Sequence, residues 1–263
     1  SKSMRPQIMI TLDVEECDIP TEYGYDLPLE EQLSVSRKGV ESFMDLMDRY
    51  EIPVTIFCTG VYAEANADWI KALHPRHALA SHGYYHGHFD PKTDLKSSKD
   101  LLEKLSGKPI YGFRMARMQY VPEEEIVKSG YTYHSSLNPT WIPGRYDHRD
   151  KPMKAFFEKE LWQVPASVTP RFRIPLFWLA FKNFPLFLYK YFTRASLRNG
   201  FLNLYFHPWE FTNLDAYPLP GHVKRGHEGR LLEKMERYLR WLKSEDLGDF
   251  ITMDTYVGQI SKS

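Results

Sequence analysis

Cysteine is scarce in this chain: Cys17 and Cys58 are the only two in 263 residues. Two isolated cysteines make neither a disulfide framework nor a zinc-ribbon spacing. Reduced thiols are the default, with a single disulfide as the alternative. Charge of one sign is also missing, since 34 Lys plus Arg balance 34 Asp plus Glu. Nucleic-acid binding usually leaves a basic surplus, so no nucleic-acid partner is expected. No uninterrupted apolar run reaches the length of a membrane span. The most apolar stretch, "IPLFWLAFKNFPLFLYKYF" (174–192), is broken by Lys182, Asn183, Pro185 and Lys190, and charges of that kind are costly inside a bilayer. It reads instead as a buried or interfacial amphipathic element. The opening "SKSMRPQIMITLDVEE" has no secretory-leader pattern, so the expected location is cytoplasmic or membrane-peripheral. A Gly-x-Ser-x-Gly elbow is absent, which weighs against a serine hydrolase. With no internal repeat, low-complexity tract or linker, one domain over residues 1–263 is expected, with 137–199 as an irregular insertion.

What is present suits an ordinary globular protein: 43% hydrophobic and 26% charged residues. Aromatics reach 15%, which fits either a sugar-binding cleft or a bulky core. Short apolar runs alternate with helical patterns. "QIMITLDVE" (7–15), "IPVTIFCTG" (52–60), "HALASHG" (77–83), "PIYGFR" (109–114), "YTYHSS" (131–136), "LWQVPASV" (161–168), "GFLNLYFHPWEF" (200–211) and "GDFITM" (248–253) read as strands. "SVSRKGVESFMDLMDRY" (34–50), "AEANADWIKAL" (63–73), "DLKSSKDLLEKLSG" (94–107), "PEEEIVKSG" (122–130) and "EGRLLEKMERYLRWLKSE" (228–245) read as helices. The last has Leu231, Leu232, Met235, Tyr238, Leu239 and Leu242 on one stripe. Repeated strand–helix alternation is the pattern of an α/β fold with a parallel sheet or barrel.

In such folds chemistry collects where strands end. "SHGYYHGHFD" (81–90) puts His82, His86 and His88 within a few residues. His82 and His86 are four apart, so one helical turn would place both imidazoles on one face for a divalent metal. His88 breaks that spacing and is expected behind the site or in solvent. Asp13 and Glu15 are two apart on a strand and share a face. Two carboxylates aimed at one place persist most easily when a cation takes one of them. Imidazole nitrogen with carboxylate oxygen suits zinc. His207 ends a strand before Pro208. It is either structural or the proton-transfer partner of an activated water.

These residues resemble the polysaccharide deacetylases, carbohydrate esterase family 4. "TLDVEE" (11–16) is similar to the first motif, "SHGYYH" (81–86) to the second, "GFRMAR" (112–117) to the third and "LYFHP" (204–208) to the fifth. "YHSS" (133–136) and Trp141 fall where the fourth would lie. "FHPWE" and the apolar stretch before it resemble the branch found with bacterial exopolysaccharide synthesis. Val14 stands where the family usually has a second aspartate, Ala116 where a proline is common, and His134 where an aspartate is common. The resemblance implies an irregular (β/α)7 barrel and a divalent metal, zinc first, held by His82 and His86 with Glu15 in place of the usual aspartate, the alternative being the two histidines alone. It implies Asp13 as the base, Arg114 as its support and His207 as the general acid, with a backbone N–H near Met115 or Ala116 facing the oxyanion. The implied substrate is a carbohydrate bearing an acylated amino sugar. The rivals are a lipid-linked amino sugar, acetylated or formylated, docking against residues 174–192, and a sugar-binding relative without catalysis.

Overall fold

The structure is a computed structural model, and it describes residues 5–225 and 229–262. Among the described residues seven strands run parallel in the order β7–β1–β2–β3–β4–β5–β6, and the short strand Asp249–Phe250 pairs parallel with the start of β1 off this path. They are β1 (Gln7–Val14), β2 (Val54–Cys58), β3 (Ala78–Ser81), β4 (Gly112–Phe113), β5 (Tyr133–His134), β6 (Leu161–Gln163) and β7 (Phe201–Phe206). All eight residues of β1 are buried, as expected for a central parallel strand covered on both faces. The sheet curls until its ends approach. Ser167 N–H donates to the Asn203 carbonyl at 3.1 Å, and Asn203 N–H donates to Ser167 Oγ at 2.8 Å. The buried Asn203 amide then reaches inward to Ser135 Oγ and the Val164 and Pro165 carbonyls. This is the expected α/β architecture, an irregular (β/α)7 barrel.

The helices cover the outside. α1 (Leu29–Arg49) buries Val40, Phe43, Met44, Leu46 and Met47. α4 (Asp94–Ser106) ends at Gly107, whose φ of 71° supplies the left-handed cap. α5 (Glu123–Lys128) starts after Pro122. α8 (Gly229–Ser244) buries Leu231, Met235, Tyr238, Leu239 and Leu242, while Leu232 stays half-buried at the edge of its stripe.

Three expectations need correction. The segment 63–73 is not one helix but α2 (Gly60–Ala65) and α3 (Ala67–Lys71), broken at Asn66, whose side-chain amide turns back to the Tyr62 carbonyl. "GDFITM" pairs only at Asp249–Phe250 and then starts a helix, α9 (Met253–Ile260), as the Met253 N–H bonds to Thr55 Oγ1. Residues 137–199 are less of an insertion than their irregularity suggests. They supply β6, which the antiparallel Phe156–Glu158 borders, and a small hairpin of Trp141–Ile142 with Tyr146–Asp147. They also supply α6 (Trp178–Asn183) and α7 (Leu186–Ser196), the two helices formed by the apolar stretch. Pro185 separates them by starting α7. Among the described residues no helix is long and apolar enough to cross a membrane.

One glycine couples this frame to the strand-end rim. Gly39 lies where α1 meets the turn after β7, and a Cβ there would run into the Pro208 carbonyl. That atom is backbone and cannot swing aside. Gly39→Ala is therefore expected to shift the turn carrying His207 and to cost roughly 1–3 kcal/mol of stability. Denaturant unfolding checks this; an unchanged midpoint would show that the turn is free to move.

Candidate active site

The C-terminal ends of β1, β3, β4 and β7 open on one pocket of about 130 Å³ lined by Asp13, Glu15, His82, His86, Tyr205 and His207, among others. Strand alternation explains the first pair: Asp13 and Glu15 lie on one face, 4% and 1% exposed. Arg114 follows β4 directly and is fully buried. Its guanidinium donates to Asp13 Oδ1 at 2.9 Å and to Thr11 Oγ1 at 2.7 Å. It also donates to the Ser135 carbonyl and Ser135 Oγ at 2.7 and 2.8 Å, and its Cζ lies over the Phe57 ring, 4.2 Å from the ring centre. Four bonds and a stacked ring leave Arg114 one position, so Asp13 is aimed as well. Of the two amides expected to face an oxyanion, Met115 N–H donates to Ser136 Oγ at 2.9 Å; Ala116 remains the candidate.

Glu15, His82 and His86 form the group suited to a metal, with one ligand atom from each all within 4.8 Å of one another. The second motif is not a helical turn, as the His-x-x-x-His spacing suggested. It is an irregular loop in which Gly83 takes φ 80°. The loop is held from below: Glu16 accepts from Thr59 Oγ1 at 3.0 Å and from the His86 backbone N–H at 3.3 Å. His82 Nδ1 bonds the Arg114 carbonyl at 2.8 Å, so that nitrogen carries the hydrogen. His86 Nδ1 lies 2.6 Å from Asp18 Oδ1, which demands a hydrogen there too. In neutral rings both Nε2 atoms then present lone pairs, and both face Glu15 Oε2, His82 at 3.3 Å and His86 in closer contact. Lone pairs and a carboxylate repel unless protons or a cation lie between them, and outer hydrogen bonds of this kind are how metal-binding histidines are fixed. The donor set fits a divalent ion.

The charges follow this geometry. Burial would raise the Glu15 carboxyl, but the two histidines outweigh it and hold it well below the ordinary carboxylate range. Burial would lower His86, yet Glu15 and Asp18 raise it to about 10 without metal. His88 is exposed, as expected of a histidine outside the ligand set.

His207 sits across the pocket, its Nε2 3.8 Å from Glu15 Oε1. Glu210, fully buried, uses Oε2 to accept both the His207 backbone N–H at 2.8 Å and the Nδ1 hydrogen at 3.1 Å. That bond leaves Nε2 toward the pocket. Burial alone would lower the His207 pKa, but Glu210 and Glu15 raise it. Trp209 stacks on the ring at 5.0 Å and Trp178 meets it edge-on at 5.0 Å.

The sequence model of the polysaccharide deacetylase family matches residues 26–123. That stretch holds the second motif and the third, and the structure places both at this rim. No curated protein sequence matches the chain. Among solved structures, a protein described as a "putative polysaccharide deacetylase from Mycobacterium smegmatis" aligns with TM-score 0.70 and 15% identity, covering 99% of this chain and 92% of that one. The chain carries a polysaccharide deacetylase region. PuuE allantoinase aligns with TM-score 0.66 and 16% identity over 97% of this chain and 89% of its own. A carbohydrate esterase family 4 pseudoenzyme from Bacillus anthracis aligns with TM-score 0.53 and 10% identity over 96% and 66%. At such identities the likeness shows the polysaccharide deacetylase fold, and that fold hosts more than one outcome.

Within this fold, the six residues expected to hold the metal or carry the chemistry, Asp13, Glu15, His82, His86, Arg114 and His207, converge on the pocket or its wall. Asp18, Glu210 and Lys182 were not foreseen, and Glu16, read as one of the acids ending the first strand, had been given no role of its own. Glu210 carried a readable signal: it lies three residues after His207, capping-box spacing, and it does close that turn. Trp141, expected near the fourth motif, is half exposed under Arg149 on the hairpin. Trp178 and Trp209 are the indoles beside His207.

Proposed function

We propose that the protein is a metal-dependent hydrolase that removes N-acetyl groups from amino sugars of a bacterial polysaccharide or its precursor. The reading rests above all on one juxtaposition: a single pocket lined by the Glu15–His82–His86 cradle, by Asp13, held by Arg114, and by His207, held by Glu210. An amide hydrolase needs all three parts. A divalent ion in that cradle, zinc by its mixed imidazole and carboxylate donors, supplies Lewis acidity toward water and an acyl carbonyl. Asp13, aimed by Arg114 through Oδ1, takes the proton from the attacking water at Oδ2. His207 gives a proton from Nε2 to the departing sugar amine, which leaves poorly unless protonated. Trp178, Trp209 and Tyr205 crowd the pocket and restrict water around His207.

The test is acetate release from acylated amino sugars, measured beside metal content. Chelation should abolish turnover, and zinc or another divalent ion should restore it. Formate release from N-formyl sugars would keep the chemistry and change the acyl group. Full turnover by metal-free protein, or none by metal-loaded protein on any acylated amino sugar, would overturn the reading.

A further inference from the structure

Lys182 lies in the apolar stretch, on α6, and is only 3% exposed. A buried lysine is expensive unless its donors are used. Its Nζ donates to the Val223 carbonyl at 2.6 Å and lies 3.4 Å from Glu210 Oε1. It also sits over two indoles, 5.7 Å from the centre of Trp178 and 5.6 Å from that of Trp209. These are the two rings that enclose His207, and Glu210 is the carboxylate that bonds His207. Glu210 Oε1 has no hydrogen-bond partner and is turned toward the ammonium. Val223 belongs to the short helix Gly221–Lys224, where His222 and Val223 line the pocket rim. Packing alone does not require a charge here, since a methionine would fill the same space without desolvation cost.

We propose that Lys182 is a positioning residue for His207: by holding Glu210 through Oε1, it keeps Oε2 on both the backbone and Nδ1 of His207, and so fixes the ring with Nε2 toward the pocket. The same ammonium pins the rim through Val223, so the helix, the carboxylate and the imidazole move as one unit. The catalytic consequence rests on the proposed amide hydrolysis; the placement of the His207 ring does not.

Two measurements separate these levels. The first is nitrogen NMR of ring-labelled histidine at alkaline pH. The parent should show His207 as one Nδ1–H tautomer, and Lys182→Met should show a mixture or an exchange-broadened signal. An unchanged His207 signal would overturn the proposal whether or not the protein is an amide hydrolase.

The second compares two substrates, an N-acetyl amino sugar and an aryl acetate. The amine must be protonated to leave and the phenolate need not be. Lys182→Met should lose at least about tenfold in kcat on the amide, with KM little changed, and less than about threefold on the ester. Glu210→Gln should show the same split. The double variant K182M/E210Q should be no worse than Glu210→Gln, because Lys182 acts through Glu210. It removes both buried charges and so should fold about as well as the parent. Equal losses on amide and ester, additive losses in the double variant, or parental amide turnover by Lys182→Met would each sink the proposal.

Discussion

Asp13→Asn and His207→Ala should each bind a divalent ion as the parent does, yet lose about 10²–10⁴-fold in acetate release, roughly 3–5 kcal/mol of barrier. The expectation follows from what each side chain touches. Asp13 is bonded by Arg114 and His207 by Glu210, and neither belongs to the Glu15–His82–His86 group. Asn at 13 keeps the acceptor for Arg114 at Oδ1 and removes the base at the other position. Ala at 207 removes the donor for the amine and leaves the cradle bonds to Arg114 and Asp18 intact. A sugar-binding relative would need the cradle at most and would be indifferent to both changes. Metal content, circular dichroism and acetate release on the same samples decide it: near-parental release by both variants would remove acid–base catalysis from the mechanism.

The strands were the most legible part of the fold, because β1, β2 and β7 are buried along their whole length, β3 at all but Leu79, and they read as continuous apolar runs. Where the chain closes the barrel, the signal weakens. β4, β5 and β6 span only two or three residues each, and a side-chain amide, Asn203, does part of the work of a ladder. A single asparagine in a strand carries no pattern that announces this. Asn66 similarly splits one helical pattern into two because its side chain competes for the backbone of the preceding turn.

The site was legible where chemistry fixes residue type. Imidazoles at 82 and 86 and carboxylates at 13 and 15 stand at strand ends, and the structure brings them together. The surrounding shell was not, because its members look ordinary in sequence. Asp18 is one acid among many, and only its 2.6 Å approach to His86 Nδ1 gives it a role. Lys182 was read as an interruption of an apolar run. No described helix there is long and apolar enough to cross a membrane, and that reading was silent about the buried carboxylate Lys182 faces. Residues 174–192 do pack on the barrel, burying Phe181, Leu186 and Tyr189 and leaving Phe187 and Tyr191 exposed.

The largest losses of metal are expected from the variants that remove a ligand, His86→Ala and Glu15→Ala, and the pH dependence of binding gives the second decisive result. Without metal, His86 keeps its proton up to about 10 against an ordinary 6.5, because the charges of Glu15 and Asp18 outweigh burial. A folded pKa above the unfolded one means that the proton stabilises the fold. That stabilisation is complete below about pH 6.5 and is lost as pH rises through about 10. An ion in the cradle must displace this proton. Apparent affinity should therefore tighten about tenfold per pH unit from neutrality toward 10, one proton being released per ion bound. Metal-free protein should lose thermal stability over the window in which metal-loaded protein keeps it. Removing a ligand removes the effect. His86→Ala and Glu15→Ala should bind at least about 100-fold more weakly, and Asp18→Asn, which loses the bond that orients His86 and part of the charge that raises it, about 10- to 100-fold more weakly. His88→Ala, on an exposed side chain, should change nothing. Calorimetric titration with zinc across pH, with proton release read from buffers of different ionisation enthalpy, measures all of this. Parental affinity in His86→Ala, or affinity independent of pH in the parent, would place the ion elsewhere.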